Sequence, residues 1–125
     1  MAAASSPQAA GRQLGRSGED RAAAWYEARG YEIVARNWSC RAGEVDIVAC
    51  RGATHVFCEV KARSSAAFGS PAEAVGPVKQ ARLRRLAGQW FAEQAMVGGR
   101  RRGGPVRFDV ACVVAGAIEV IEGAF

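Results

Sequence analysis

The sequence predicts an α/β sandwich, a small mixed sheet flanked by helices and folded as one domain. Three observations carry this. At 125 residues the chain is long enough for one hydrophobic core and not for two. Half of its residues are hydrophobic, as in a folded globule and unlike a disordered chain. Its periodicity changes in the order helix, three strands, helix, two strands, too few elements for a doubly wound sheet.

Residues 1–14 read as a flexible tail and residues 15–125 as the domain. Met1-Ala2-Ala3-Ala4-Ser5-Ser6-Pro7-Gln8 lacks the basic-then-apolar order of a secretory signal. No run approaches a membrane span, so a cytoplasmic location without membrane contact is expected. A helix is expected from Gly18 to Arg29, starting as early as Arg12. There Ala22, Trp25, Tyr26 and Ala28-Arg29 recur at helical spacing, and Gly30 supplies the stop. Tyr31 to Arg36 reads as a strand, and Asn37 to Ala42 as a turn. The alternating runs Gly43–Ala49 and His55–Lys61 follow as two strands, a hairpin by proximity.

Ser64 to Gly76 is a loop rich in small residues, with a helical turn at Ala72–Val75. From Pro77 to about Met96 a long helix is expected, its buried stripe being Val78, Leu83, Leu86, Ala87, Trp90 and Phe91. Val97 to Pro105 is an exposed, flexible loop. Val106–Val114 and Ala117–Ile121 close the chain as strands. Trp25, Tyr26, Trp90 and Phe91 fall at core spacing and are not read as base-stacking platforms.

The formal charge is +5, and 15 of the 17 lysines and arginines are arginine. Arginine forks phosphate bidentately, which suits a nucleic-acid partner, although a GC-rich genome also enriches arginine with alanine and glycine. Four cysteines form no C-x-x-C pair and His55 is the single histidine, which argues against zinc. Cys50, Cys58 and Cys112 lie in apolar runs and read as reduced core residues.

The chemistry concentrates on the two central strands. Residues two apart share a strand face, so Glu44 pairs with Asp46, and Glu59 with Lys61 and Arg63. Paired as a hairpin, the strands would bring carboxylates and an ammonium together. A hard divalent cation such as Mg²⁺ takes such oxygens and completes its shell with substrate phosphate. A lysine beside it orients or deprotonates water, or balances transition-state charge. The same face parity also suits cross-strand ion pairs on a surface hairpin. Glu-x-Lys is too short to decide by itself.

Further motifs run in order along the chain: Gly18-Glu19-Asp20-Arg21-Ala22, Gly30-Tyr31-Glu32-Ile33, Arg36-Asn37-Trp38, Gly43–Val48, Phe57–Arg63, Phe68-Gly69, Lys79, Arg107–Val110 and Ala124-Phe125. On these the chain resembles the YraN-like family of small bacterial proteins. That family is similar to Holliday-junction resolvases and restriction endonucleases of the PD-(D/E)XK superfamily. The resemblance implies a restriction-endonuclease-like α-β-β-β-α-β core. It implies that Asp46 is the motif aspartate, Glu59 the second metal carboxylate, Lys61 the motif lysine and Glu19 an added glutamate. Val45 stands where the motif has proline, a position that makes no metal contact.

The resulting expectation is a nuclease dependent on Mg²⁺ or Mn²⁺ that acts on DNA. Asp46, Glu59 and the Val60 carbonyl would hold the ion, with Glu19 completing or tuning the site and Lys61 positioning water. Arg63, the ridge Lys79, Arg82 and Arg85, and the loop Arg100-Arg101-Arg102 would bind phosphate, and cutting branched DNA calls for a homodimer. The alternatives are a non-catalytic nucleic-acid-binding module and a protein adaptor. Asp20 is expected near the helix start, facing solvent, and Arg107 with Asp109 as a structural ion pair.

Overall fold

The computed structural model describes residues 7–63, 75–98 and 103–125, with side-chain surroundings from residue 16 onward. Its elements are α1 (Pro7–Ala28), β1 (Glu32–Cys40), β2 (Gly43–Arg51), β3 (Thr54–Arg63), α2 (Pro77–Met96), β4 (Val106–Val114) and β5 (Ala117–Ile121). The five strands make one sheet in the order β1-β2-β3-β4-β5. Neighbours are antiparallel except β3 and β4. A parallel pair needs a crossover, and α2 supplies it. The expected α-β-β-β-α-β order is therefore present, and β5 extends it as an antiparallel edge strand.

A core lies on each side of the sheet. Phe57 and Val110 pack with Leu83, Leu86, Ala87, Trp90 and Phe91 of α2. Their chain neighbours Val56, Cys58 and Ala111 pack with Ala22, Ala23 and Tyr26 of α1. Alternation along β3 and β4 thus sends successive residues to opposite helices. All four cysteines are free; Cys50, Cys58 and Cys112 are buried, as expected of core thiols. Among the described residues no helix is long and apolar enough to cross a membrane.

Several boundaries differ from expectation. Helix α1 begins at Pro7, so residues 7–14, assigned to a tail, are helical. Proline suits a first helical position, and the good helix formers that follow outweigh Gly11 and Gly15. Ala28 and Arg29 are exposed rather than on the buried stripe; the Arg29 guanidinium instead lies 3.7 Å over the Trp25 ring. Strand β1 runs on through the expected turn to Cys40, which pairs with Gly43 across Arg41-Ala42. The extension packs Trp38 and Cys40 against the α2 core, and Trp38 Nε1 donates to Glu93 on α2 at 2.9 Å. Asn37 absorbs the resulting twist at φ 51, a conformation asparagine tolerates.

Val78 is 76% exposed and leaves the α2 stripe. Five positions before Leu83, it points about 140° away from that residue. Residues 72–74 of the turn expected at Ala72–Val75, and residues 99–102 of the 97–105 loop, with Arg100, Arg101 and Arg102, lie outside the described residues.

Candidate functional site

Asp46 sits where strand alternation breaks. Val45 packs with the α2 core, yet Ile47, two residues on, packs with the α1 core. The β2–β3 ladder stops at Ile47–Cys58; continued, it would set Val45 opposite Val60. There the Asp46 carboxylate replaces a backbone acceptor, and Val60 N–H donates to its Oδ2 at 2.7 Å. A strand residue presents its N–H and C=O along the same edge, so the Val60 carbonyl faces the Asp46 side as well.

Burial pushes the Asp46 carboxyl up to about 6, and the nearby carboxylates Glu59, Glu19 and Glu44 push the same way against the Val60 bond. Glu44 itself is exposed.

Glu59, on β3, is only 7% exposed. Its Oε1 takes an ion pair from Lys61 Nζ at 3.3 Å and a hydrogen bond from Lys79 Nζ. Two ammoniums therefore share one carboxylate oxygen. Lys79 next to it lowers the Lys61 pKa, and burial adds to this while Glu59 opposes it. Burial disfavours the Lys79 charge, but the bonds with Glu59 and Lys61 and the nearby Glu59 and Asp46 charges together outweigh it and raise the pKa.

Glu19 is brought in by α1. A Cβ on Gly18 would lie 2.7 Å from Ala62 Cβ, so glycine lets the helix press onto β3 beside the site. Glu19 is then 7% exposed, and its Oε1 accepts from Arg36 Nε at 2.9 Å and Asn37 Nδ2 at 2.8 Å. Arg36 Nη2 also bridges to Asp20 at 2.5 Å. Asp20 is exposed as expected, but with α1 beginning at Pro7 it lies well inside the helix.

Each carboxylate thus has its own donor set: an amide for Asp46, ammoniums for Glu59, and Arg36 with Asn37 for Glu19. Among the described residues no three of His, Cys, Asp and Glu form a ready-made metal cluster. Glu59 and Glu19 nonetheless lie near enough to Asp46 to act on its charge.

The expected ridge of Lys79, Arg82 and Arg85 divides. Lys79 is half-buried and joins Glu59, whereas Arg82 and Arg85 are exposed. The signal for the burial of Lys79, though not for its partner, was in the sequence: this lysine lies four residues before Leu83 and so continues the buried stripe toward the helix start. Arg36 and Asn37 were likewise legible as a motif, but their role in holding Glu19 was not. Arg63 is half-buried and lines a cavity of about 320 Å³ with Ser17, Gly18, Arg21, Val113, Ala115 and Gly116.

Away from these groups, Asp109 is fully buried. It accepts from Tyr26 at 2.6 Å, from Arg107 at 2.8 and 3.0 Å, and from Gly123 N–H at 3.0 Å. Every donor there is structural, and the expected Arg107–Asp109 pair is present.

Residues 18–113 match the family described as "Uncharacterised protein family UPF0102". The UPF0102 protein of Acidothermus cellulolyticus is 46% identical over 122 residues, covering 90% of this chain and 92% of its own. That of Frankia casuarinae is 49% identical over 117 residues, covering 90% and 95%. A Parafrankia relative, also a UPF0102 protein, is 60% identical over 81 residues, covering 65% and 69%. The matched stretch includes Glu19, Asp46, Glu59, Lys61 and Lys79. With matches over most of its length to the family and to its members, the chain belongs to the UPF0102 family.

Proposed function

We propose that this protein is a divalent-metal-dependent nuclease that hydrolyses phosphodiester bonds in DNA, with branched or recombination intermediates as its substrates. The observation that carries the reading is the acid pair Asp46 and Glu59 on adjacent strands, with the Lys61 ammonium on Glu59.

The donor set fits Mg²⁺ or Mn²⁺, which bind through one or two carboxylates and leave room for water and phosphate oxygens. Burial first, and then three neighbouring acids, disfavour the charged form of Asp46, and a bound cation would favour it. Asp46, Glu59 and the Val60 carbonyl would hold the ion. Bound there, it would supply Lewis-acid polarisation of the phosphate and acidification of water. Lys61 would orient the attacking water and offset charge on the phosphate. Glu19, already fixed by Arg36 and Asn37, would tune the local field. Arg63 and Arg21, beside the same cavity, would grip phosphates flanking the cut, and the exposed Arg82 and Arg85 would add to the attraction. A branched substrate cut symmetrically calls for a two-fold dimer.

One observation favours a second reading, a nucleic-acid-binding module without catalysis: Glu59 is satisfied by two ammoniums. Labelled linear, flapped and four-way DNA incubated with Mg²⁺ or Mn²⁺ separates the two. Wild type should cut, while Asp46→Asn and Lys61→Ala, each shown to be folded, should lose at least about 100-fold in rate. Equal cutting by wild type and both variants, or none by any, would remove the catalytic reading. Salt-sensitive binding that persists without metal would then support the module.

A further inference from the structure

Lys79 stands in an unfavourable place. It is the third residue of α2, at the helix end where the dipole disfavours a cation. The first turn holds no acidic residue, and the N-cap, Gly76, makes no side-chain capping bond. The charge that compensates Lys79 comes from another element: the carboxylate of Glu59 on β3. A residue that breaks a local rule and is satisfied only at a candidate site is a sign of function there.

The same contact has a second consequence. Lys79 and Lys61 both lie on Oε1 of Glu59, so a divalent ion at this carboxylate competes with two ammonium charges. Lys61 is fixed to the strand two residues from Glu59. Lys79 hangs on a long side chain from the start of a helix, and its ammonium is a compact charge with three rotatable donors. The nuclease reading keeps Lys61 at the attacking water, so of the two Lys79 is the one assigned to leave.

Resting on the nuclease reading, we propose that Lys79 is a displaceable counter-cation. It holds the Glu59 oxygen while the site lacks a divalent ion, and moves to a backbone phosphate of the nucleic acid as the ion enters. Divalent binding is then weak for the protein alone and tighter with nucleic acid, because phosphate gives the displaced ammonium a new partner. The coupling is reciprocal, so the ion also tightens the nucleic acid. Lys79 acts here as a positioning residue for Glu59 and as a phosphate ligand afterwards.

The test is Mn²⁺ binding to the intact chain by titration calorimetry, with and without a short duplex bearing phosphorothioate linkages that resist cleavage. Wild type should bind Mn²⁺ weakly alone and on the order of tenfold more tightly with the duplex. Lys79→Gln should bind Mn²⁺ more tightly than wild type without DNA and gain little from the duplex. Lys79→Arg should keep the wild-type pattern, and Glu59→Gln should lose affinity in both conditions. If Lys79→Gln binds Mn²⁺ no better than wild type, or gains as much from the duplex, the role of Lys79 is overturned while the nuclease reading stands on wild-type binding and cutting. If folded wild type and Lys79→Gln both fail to bind Mn²⁺, the metal-dependent reading falls together with it.

Discussion

Asp46 carries its charge at a cost that can be measured. Its carboxyl is pushed from an ordinary 3.8 to about 6, first by burial and then by neighbouring acids. A group protonated more readily in the folded than in the unfolded state stabilises the fold below its unfolded pKa. That stability is lost as pH rises from about 4 through about 6. Asparagine stays neutral and can still accept from Val60 N–H, though as a weaker, uncharged partner. Asp46→Asn should therefore be more stable than wild type at pH 7.5, by about 1–2 kcal/mol, with the gap closing near pH 4. Urea unfolding at the two pH values measures this. A variant less stable than wild type at pH 7.5 would contradict the burial argument. Asp109 shows the opposite design: fully buried, yet surrounded by four donated hydrogen bonds, it is held as structure.

At the scale of elements, the meeting of α1 with β3 decides where Glu19 lies. Gly18 touches the Ala62 position so closely that a methyl group there would overlap it. Alanine is the better helix former by about 1 kcal/mol, so propensity alone predicts that Gly18→Ala stabilises the protein. Overpacking a tight contact costs about 1–3 kcal/mol, and the short approach makes that the larger effect. Gly18→Ala should be destabilised in chemical denaturation. A stabilised variant would show that α1 moves off β3 at little cost. Helix α2 makes the complementary point: its stripe of Leu83, Leu86, Ala87, Trp90 and Phe91 orients the helix, and Lys79 is carried toward Glu59 by the same rotation.

Across the whole molecule, a charge of +5 favours an anionic partner, and 15 arginines suit bidentate phosphate contacts. The proposed binding to DNA, measured in the absence of divalent ions, should weaken steeply with salt, in proportion to the phosphates neutralised. Replacing both Arg21 and Arg63 by glutamine should lower the slope of log affinity against log salt by about 2. Fluorescence anisotropy across a salt series measures it, and an unchanged slope would remove these arginines from the phosphate path. The crossover from β3 through α2 to β4 sets the architecture behind this: it makes the central pair parallel and leaves the acid-bearing strands beside both helices.

Local rules determined much of this protein. Short strand-like runs located β3, β4 and β5, and period 3.6 located α2 from Pro77 to Met96: β3 and β4 bury both faces and read as nearly continuous apolar stretches, whereas α2 buries one stripe. The pairing of Glu59 with Lys61 was legible as two residues on one strand face. What depended on distant partners was not legible. Strand β1 outran its expected end because pairing with β2 and the core under Trp38 outweighed the turn tendency of Asn37. The reversal of face at Asp46, the seat of Glu19 on Arg36 and Asn37, and the placing of Lys79 on Glu59 were decided by tertiary structure. Each joins groups from different elements, and the energy of such contacts depends on where those elements pack, which no single stretch of sequence encodes.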